Sequence, residues 1–184
     1  ALERHGLEAA VRVELLNLKE ENGVAVSLQD DFSGTLPVEV STIAYRICRE
    51  ALSNARRHSQ AGRIEVTVDD LKGGLLVKIC DDGVGIPPGL VASPEPGHLG
   101  LSAMRQRADL AGGWLKIRSP VDGRGSGAGP GTEIEFWLPV DTDAGSDTRT
   151  PAPNDGCPLH RPPERTHPSS DRHGGHGGHV HHRV

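Results

Sequence analysis

Aromatic side chains make up only 3% of the 184 residues, and a formal charge of −5 leaves no basic excess. Proteins that hold nucleic acid need stacking platforms or a positive surface, so composition does not support that partner. Cysteine is equally scarce. Cys48, Cys80 and Cys157 are odd in number and widely spaced, which indicates neither a disulfide framework nor a CxxC metal site and fits a reducing cytoplasm. Long apolar runs are missing as well: nothing approaches the roughly 18 residues of a membrane helix, and the first 22 residues are too charged for a signal peptide. What is present, 35% hydrophobic and 24% charged residues, suits one soluble domain with a core of Leu, Val, Ile and Ala. The chain opens on ALERHGLEAAV, with no initiator Met and already in helical periodicity, as a cut through a larger protein would.

Leu7, Ala10, Val11, Leu15, Leu16 and Leu18 predict an amphipathic helix over residues 7–19 with Gly23 as its stop. VAVSL predicts a strand. A long helix over residues 38–57 follows, with Pro37 near its first turn, where the missing N–H is harmless. RIEVTVDD alternates Ile64, Val66 and Val68, LKGG supplies a turn, and LLVKICD returns as a hairpin strand ending at Asp81. DGVGIPPGLVASPEPGHLG is rich in Gly and Pro and predicts a long loop of the kind that serves as a lid, before a helix over residues 101–110. AGGWLKIRSP stops that helix at Gly112 and Gly113 and begins a strand, and VDGRGSGAGPG turns flexibly into a last strand, TEIEFWLPV. Helix, strand, helix, two strands, lid, helix, two strands predict an α/β (α+β) two-layer sandwich, a mixed sheet with helices on one face rather than a doubly wound fold.

The globular pattern ends near Val140. Residues 141–184 are dominated by Pro, Gly, Ser, Asp and His, and read as a disordered tail. His160, His167, His173, His176, His179, His181 and His182 give it the means to collect Ni, Cu or Zn weakly, without the regularly spaced carboxylate or thiolate that would complete a site. Cys48 and Cys80 fall on core elements, where buried inert thiols are expected.

Chemistry is signalled first by Glu50, Asn54 and Arg57. They fall within a narrow arc of a helix whose adjoining sector holds Val40, Ile43, Ala44, Ile47, Ala51 and Ala55. Taken alone, such a strip is better read as a solvated helix edge. In DDGVGIP, a strand-ending Asp81 followed by Gly83 and Gly85 places a carboxylate in a cleft that backbone can line without Cβ interference. A carboxylate only accepts, so its natural partner is an exocyclic amine. In GHLGL, Gly97 and Gly100 precede a helix whose free N–H groups and dipole favour phosphate oxygens. Neither a Walker loop nor a GxGxxG βαβ fingerprint occurs, so a nucleotide would be held another way.

REALSNARRHS, DDGVGIP, GHLGLSAMRQRADLAGG and GPGTEIEFWLP together resemble, in order, the N box, G1 box, G2 region and closing GT strand of the histidine-kinase ATP-binding domain. Four ordered boxes are far more specific than any one. This Bergerat fold is shared with gyrase, Hsp90 and MutL. The wording, over roughly residues 1–140, is most similar to sensor kinases of the nitrate-sensor type, which pair with LuxR-class response regulators. The resemblance implies ATP and Mg²⁺ as ligands, with Asn54 coordinating Mg²⁺ through its amide oxygen and Glu50 beside the metal and its waters. Glu50 would activate water, as in relatives that hydrolyse ATP, or polarise an accepting His. Arg57 and His58 would face phosphate, Asp81 would accept the adenine amino group, and Gly83 and Gly85 would shape the pocket. Thr132 would bind a water bridging Asp81 and the ring. Gly97, His98, Gly100 and Leu101 fall in the nucleotide-facing G2 region. On residue type alone, Arg57 and His58 are equally solvated surface and Thr132 a strand residue.

The resemblance further implies that residues 1–22 end the second helix of a dimerisation and phosphoacceptor hairpin, and that residues 23–140 form the catalytic domain. His5 lies outside the acceptor motif, so the acceptor His would come from the parent homodimer's hairpin. The expected activity is transfer of the γ-phosphoryl group to that His for relay to a regulator Asp, in the cytoplasm, whether or not the parent is membrane-anchored. An anti-sigma-factor Ser kinase of the same fold and a nucleotide-binding regulatory module without turnover stay open as alternatives.

Overall fold

The computed structural model describes residues 2–92, 99–120 and 130–140. Its centre is a hairpin. The alternating Ile64, Val66 and Val68 lie on β2 (Arg63–Leu71), and a two-residue turn at Lys72 and Gly73, both at positive φ (45° and 72°), folds the chain back into β3 (Gly74–Asp81). Two positive φ values match the twist of the flanking strands, which is why a Gly is placed there. A Cβ on Gly74 would overlap the Trp137 ring, whose Nε1 donates to Leu71 O at 2.8 Å, so the neighbouring strand closes over the turn. That neighbour is β5 (Thr132–Pro139), antiparallel to both β3 and β4 (Trp114–Arg118). On the other side β1 (Ala25–Asp30) runs parallel to β2, giving a mixed sheet of order β1-β2-β3-β5-β4.

A parallel pair needs a crossover, and α2 (Val38–Asn54) supplies it. Ala44, Ile47, Cys48, Ala51 and Leu52 of α2 are buried in one cluster with Ile64, Val66, Val77, Ile79, Ile134 and Phe136 of the sheet. Leu7, Val11, Leu15 and Leu18 of α1 (Leu2–Asn22) and Leu101, Met104 and Ala108 of α4 (Leu99–Leu110) join it. The helices therefore cover one face, as the alternation of the strands demands.

The other face is charged. Lys78 Nζ lies 3.1 Å from Glu135 Oε1, and Arg118 reaches Glu133 at 2.7 Å and Glu135 at 3.2 Å, with both carboxylates buried. Cys80 alternates with the core residue Ile79 and so belongs to this second face; it is disulfide-bonded, not the inert thiol expected. Cys48, buried in the core, is free, and desolvation pushes its thiol up to about 12.

Three further differences from the sequence reading stand out. The long helix is α-helical only to Asn54, and Ala55–Ser59 form a π-turn ending at a left-handed Gln60 (φ 51°). The first helix is longer than predicted, and a short helix, α3 (Pro88–Ala92), sits in the loop after β3. Residues 141–184, read as a tail, lie outside the described residues, and so do Gly97 and His98. Among the described residues no helix is long and apolar enough to cross a membrane.

Candidate functional site

A cleft of about 900 Å³ opens between the C-terminal half of α2 and the adjoining ends of β3 and β5. Glu50, Asn54, Arg57, His58, Asp81, Gly85, Gly100, Leu101 and Thr132 all line it, so the structure brings together residues drawn from four separate stretches of sequence. Glu50 and Asn54 are one turn apart on the same face of α2, as their spacing requires.

Asp81 is the last residue of β3 and is only 6% exposed. Its registered partner across the ladder is Thr132, the first residue of β5 and equally buried. Asp81 Oδ1 accepts the Gly83 N–H at 2.9 Å, which turns the chain sharply away from the strand. Gly83 is required there: a Cβ would overlap the backbone carbonyl of Ser59, while Val84 N–H donates to that carbonyl at 2.7 Å. The adjacent Asp82 has a different task. It accepts the N–H groups of Gly62 and Arg63, each at 2.8 Å, and anchors the entry to β2.

Gly85 adopts φ 77° and packs against the Ser119 hydroxyl. That hydroxyl accepts the Ile86 N–H at 2.6 Å and donates to Gly131 O at 2.8 Å. Ser59 and Ser119 therefore frame the glycine loop from opposite sides, and both line the cleft. Neither was anticipated from sequence. A lone Ser before Pro carries no periodic or motif signal, and Ser59 closes the N-box stretch without any residue-type signal for this contact.

Residues 39–142 match the family described as Histidine kinase-, DNA gyrase B-, and HSP90-like ATPase. The chain belongs to that family. Every residue that lines the cleft falls within the matched stretch. Over 141 residues the chain is 31% identical to the Oxygen sensor histidine kinase NreB of Staphylococcus carnosus, covering 76% of this chain and 38% of that protein. It also resembles the solved histidine kinase domain of the Erythrobacter litoralis EL346 blue-light activated histidine kinase, with a TM-score of 0.58, 26% identity, and coverage of 73% of this chain and 61% of that one. The mycobacterial sensor histidine kinase MprB shares the fold at a TM-score of 0.54 and 22% identity, over 72% of this chain and 94% of that one. The chain therefore spans 38% of the first of these relatives and 61% of the second, less than two thirds of each.

On this ATPase domain the polar wall is uneven. Arg57 is exposed and turned back along its own helix, with Nε donating to Ser53 O at 3.3 Å and Nη2 to Ser53 Oγ at 2.8 Å. His58 is exposed beside it. Glu50 is half-buried and lies against Gly100 in the first turn of α4, so closely that a Cβ on Gly100 would overlap its carboxylate. Ile86, Leu90, Leu101 and Ile134 supply apolar surface to the same cleft.

Proposed function

We propose that residues 23–140 are the ATP-binding catalytic domain of a two-component sensor histidine kinase, which passes the γ-phosphoryl group of ATP to a His on a dimerisation hairpin and thence to a response-regulator Asp. The observation that carries this reading is one cleft with two kinds of wall: Asp81 and Thr132 paired on the sheet, and Glu50 and Asn54 paired on α2. An accept-only carboxylate suits the adenine amino group, and apolar neighbours suit the ring. Gly83 and Gly85 let the backbone approach it, and the Thr132 hydroxyl suits a bridging water.

The donor set on α2 fits a hard cation, since both Asn54 and Glu50 offer oxygen. No group of three or more His, Cys, Asp or Glu able to hold a metal occurs among the described residues, so Mg²⁺ would take most of its ligands from the nucleotide and water. Asn54 would hold it directly and Glu50 through water, and when bound it supplies neutralisation of phosphate charge. His58, and Arg57 once its guanidinium leaves Ser53, would face the phosphates from the π-turn, and Gly100 and Leu101 offer N–H groups from the start of α4. Gly97 and His98 join them on sequence grounds. Glu50 takes the N–H hydrogen bond of the accepting imidazole, raising the nucleophilicity of the opposite nitrogen.

On the same reading the parent protein is a homodimer whose phosphoacceptor helices lead into α1, its downstream partner is a LuxR-class regulator, and the domain works in the cytoplasm. Calorimetric titration of the full chain with an unhydrolysable ATP analogue and Mg²⁺ tests the site. Asp81→Asn is expected to weaken binding by about tenfold to a hundredfold, since a hydrogen bond to a charged group is worth roughly 1.5–3 kcal/mol. Phosphoryl transfer to a supplied acceptor hairpin then tests the activity. A folded wild-type chain that does not bind, or an Asp81→Asn variant that binds unchanged, overturns the reading.

A further inference from the structure

Ser119 directly follows β4 and lies in none of the four boxes, yet one hydroxyl joins three segments of the site. It accepts the Ile86 N–H at 2.6 Å, which fixes the loop after β3, and it donates to Gly131 O at 2.8 Å, which fixes the residue before β5. Gly131 N–H in turn donates to Gly83 O at 2.8 Å, so the two loops are bonded to each other as well as to the serine. From the α2 side the Ser59 carbonyl takes Val84 N–H at 2.7 Å. Residues 83–86 are gripped on both flanks. The ideal Cβ position of Gly85 lies 2.7 Å from Ser119 Oγ, so the hydroxyl fills the space a side chain at 85 would need. Gly131 also immediately precedes Thr132, and Thr132 is the registered partner of Asp81.

We infer that Ser119 is a positioning residue that sets the base end of the nucleotide site and sharpens selection of adenine over guanine. The inference rests on the ATP reading of the cleft. Adenine presents an amino donor at the purine 6-position and guanine an oxo acceptor, so an accept-only carboxylate discriminates between them. Discrimination of this kind needs the surrounding loop held in place, because a loop that yields lets the wrong ring shift away from the mismatch. Ser119 supplies that restraint by tying the loop to the strand that carries Thr132. Its replacement by Ala removes one acceptor and one donor together, and leaves the Ile86 N–H without this partner.

The test uses the full 184-residue chain with Ser119→Ala and Ser119→Thr. Dissociation constants for unhydrolysable ATP and GTP analogues with Mg²⁺ are measured by calorimetry, together with amide exchange at Ile86 and the melting midpoint without nucleotide. Ser119→Ala is expected to weaken the ATP analogue about tenfold, the equivalent of one lost hydrogen bond, and the GTP analogue by less than about threefold. Exchange at Ile86 should speed up, and Ser119→Thr, which keeps a hydroxyl, should restore the preference for ATP. Unchanged ATP affinity in Ser119→Ala overturns the inference while leaving the ATP site intact. Equal weakening of both nucleotides alongside a lowered melting midpoint also overturns it, because that is the signature of a structural serine only. A wild-type chain that binds neither analogue overturns the ATP reading itself and the inference with it.

Discussion

A missing Cβ serves two ends around this cleft, at Gly83 beside it and at Gly100 in its wall. At Gly83 the space is taken by the Ser59 backbone carbonyl at the end of the π-turn. At Gly100 it is taken by the Glu50 carboxylate, the far end of a side chain that can rotate. The two positions therefore respond differently to the same change. Gly83→Ala forces backbone apart and is expected to cost about 1–3 kcal/mol, as overpacking does, read as a lowered urea midpoint. Gly100→Ala gains helix propensity of up to about 1 kcal/mol and displaces only Glu50, so the midpoint should hold or rise. Its effect belongs to chemistry: phosphoryl transfer to an acceptor hairpin should fall by about tenfold or more, the scale of a disturbed acid–base group, with ATP affinity changed much less. Equal losses of affinity and rate in Gly100→Ala would show that the glycine serves the nucleotide and not Glu50.

Most elements were legible because their periods are long and clean. Ile64, Val66 and Val68 announce β2, and the spacing of Ile47, Ala51 and Ala55 announces α2. The π-turn was not legible. Over the five residues Ala55–Ser59, periods of 3.6 and about 4.4 place the same residues inside, and the widening rests on long-range contacts of Ser59 with Val84 and Gly83. The π-turn carries Arg57 and His58, which line the cleft beyond the end of the regular helix. The tie of α1 to α2 and the π-turn is another feature no periodicity gives. Tyr45 donates to Glu14 at 2.9 Å and Arg56 pairs with Glu21 at 3.1 Å, around a core seam containing Leu15. The polar links and the seam differ in worth. Arg56 and Glu21 are about half exposed, and such pairs contribute roughly 0–1 kcal/mol, so Arg56→Ala should barely move the denaturation midpoint. Leu15 is 2% exposed, and Leu15→Ala should cost about 2–5 kcal/mol. The reverse ranking in urea unfolding would mean that ionic links rather than burial dock α1 on the ATPase domain.

At the scale of the whole molecule the sheet is two-faced, and sequence revealed only one of the faces. Ile134, Phe136 and Leu138 of β5 point into the apolar core, and Glu133 and Glu135 alternate with them as solvated residues ordinarily would. Both are instead fully buried among Lys78 and Arg118. Alternation tells which face a residue is on; it does not tell whether that face meets water. Burial of this kind has a pH signature. Desolvation raises the Glu133 carboxyl above its ordinary 4.5, and the nearby Arg118 guanidinium only partly offsets it. The folded chain therefore holds the Glu133 proton more tightly than the unfolded chain. Between 4.5 and the raised folded value the native state carries more protons, so stability falls as pH rises through that window. Glu133 contributes its full stabilisation below 4.5, where it is neutral in both states, and loses it once the buried charge forms. Asp69 is raised by the same cause, desolvation, with the charge of Asp31 adding to it, and it acts in the same direction. Urea unfolding of wild type and Glu133→Gln across pH 4 to 7 isolates the term, because glutamine keeps the shape and cannot ionise. The expected outcome is a stability difference, wild type minus Glu133→Gln, that declines as pH rises. A difference that stays flat would show that Arg118 neutralises the buried carboxylate fully and that the pH dependence of the fold originates at Asp69 or elsewhere.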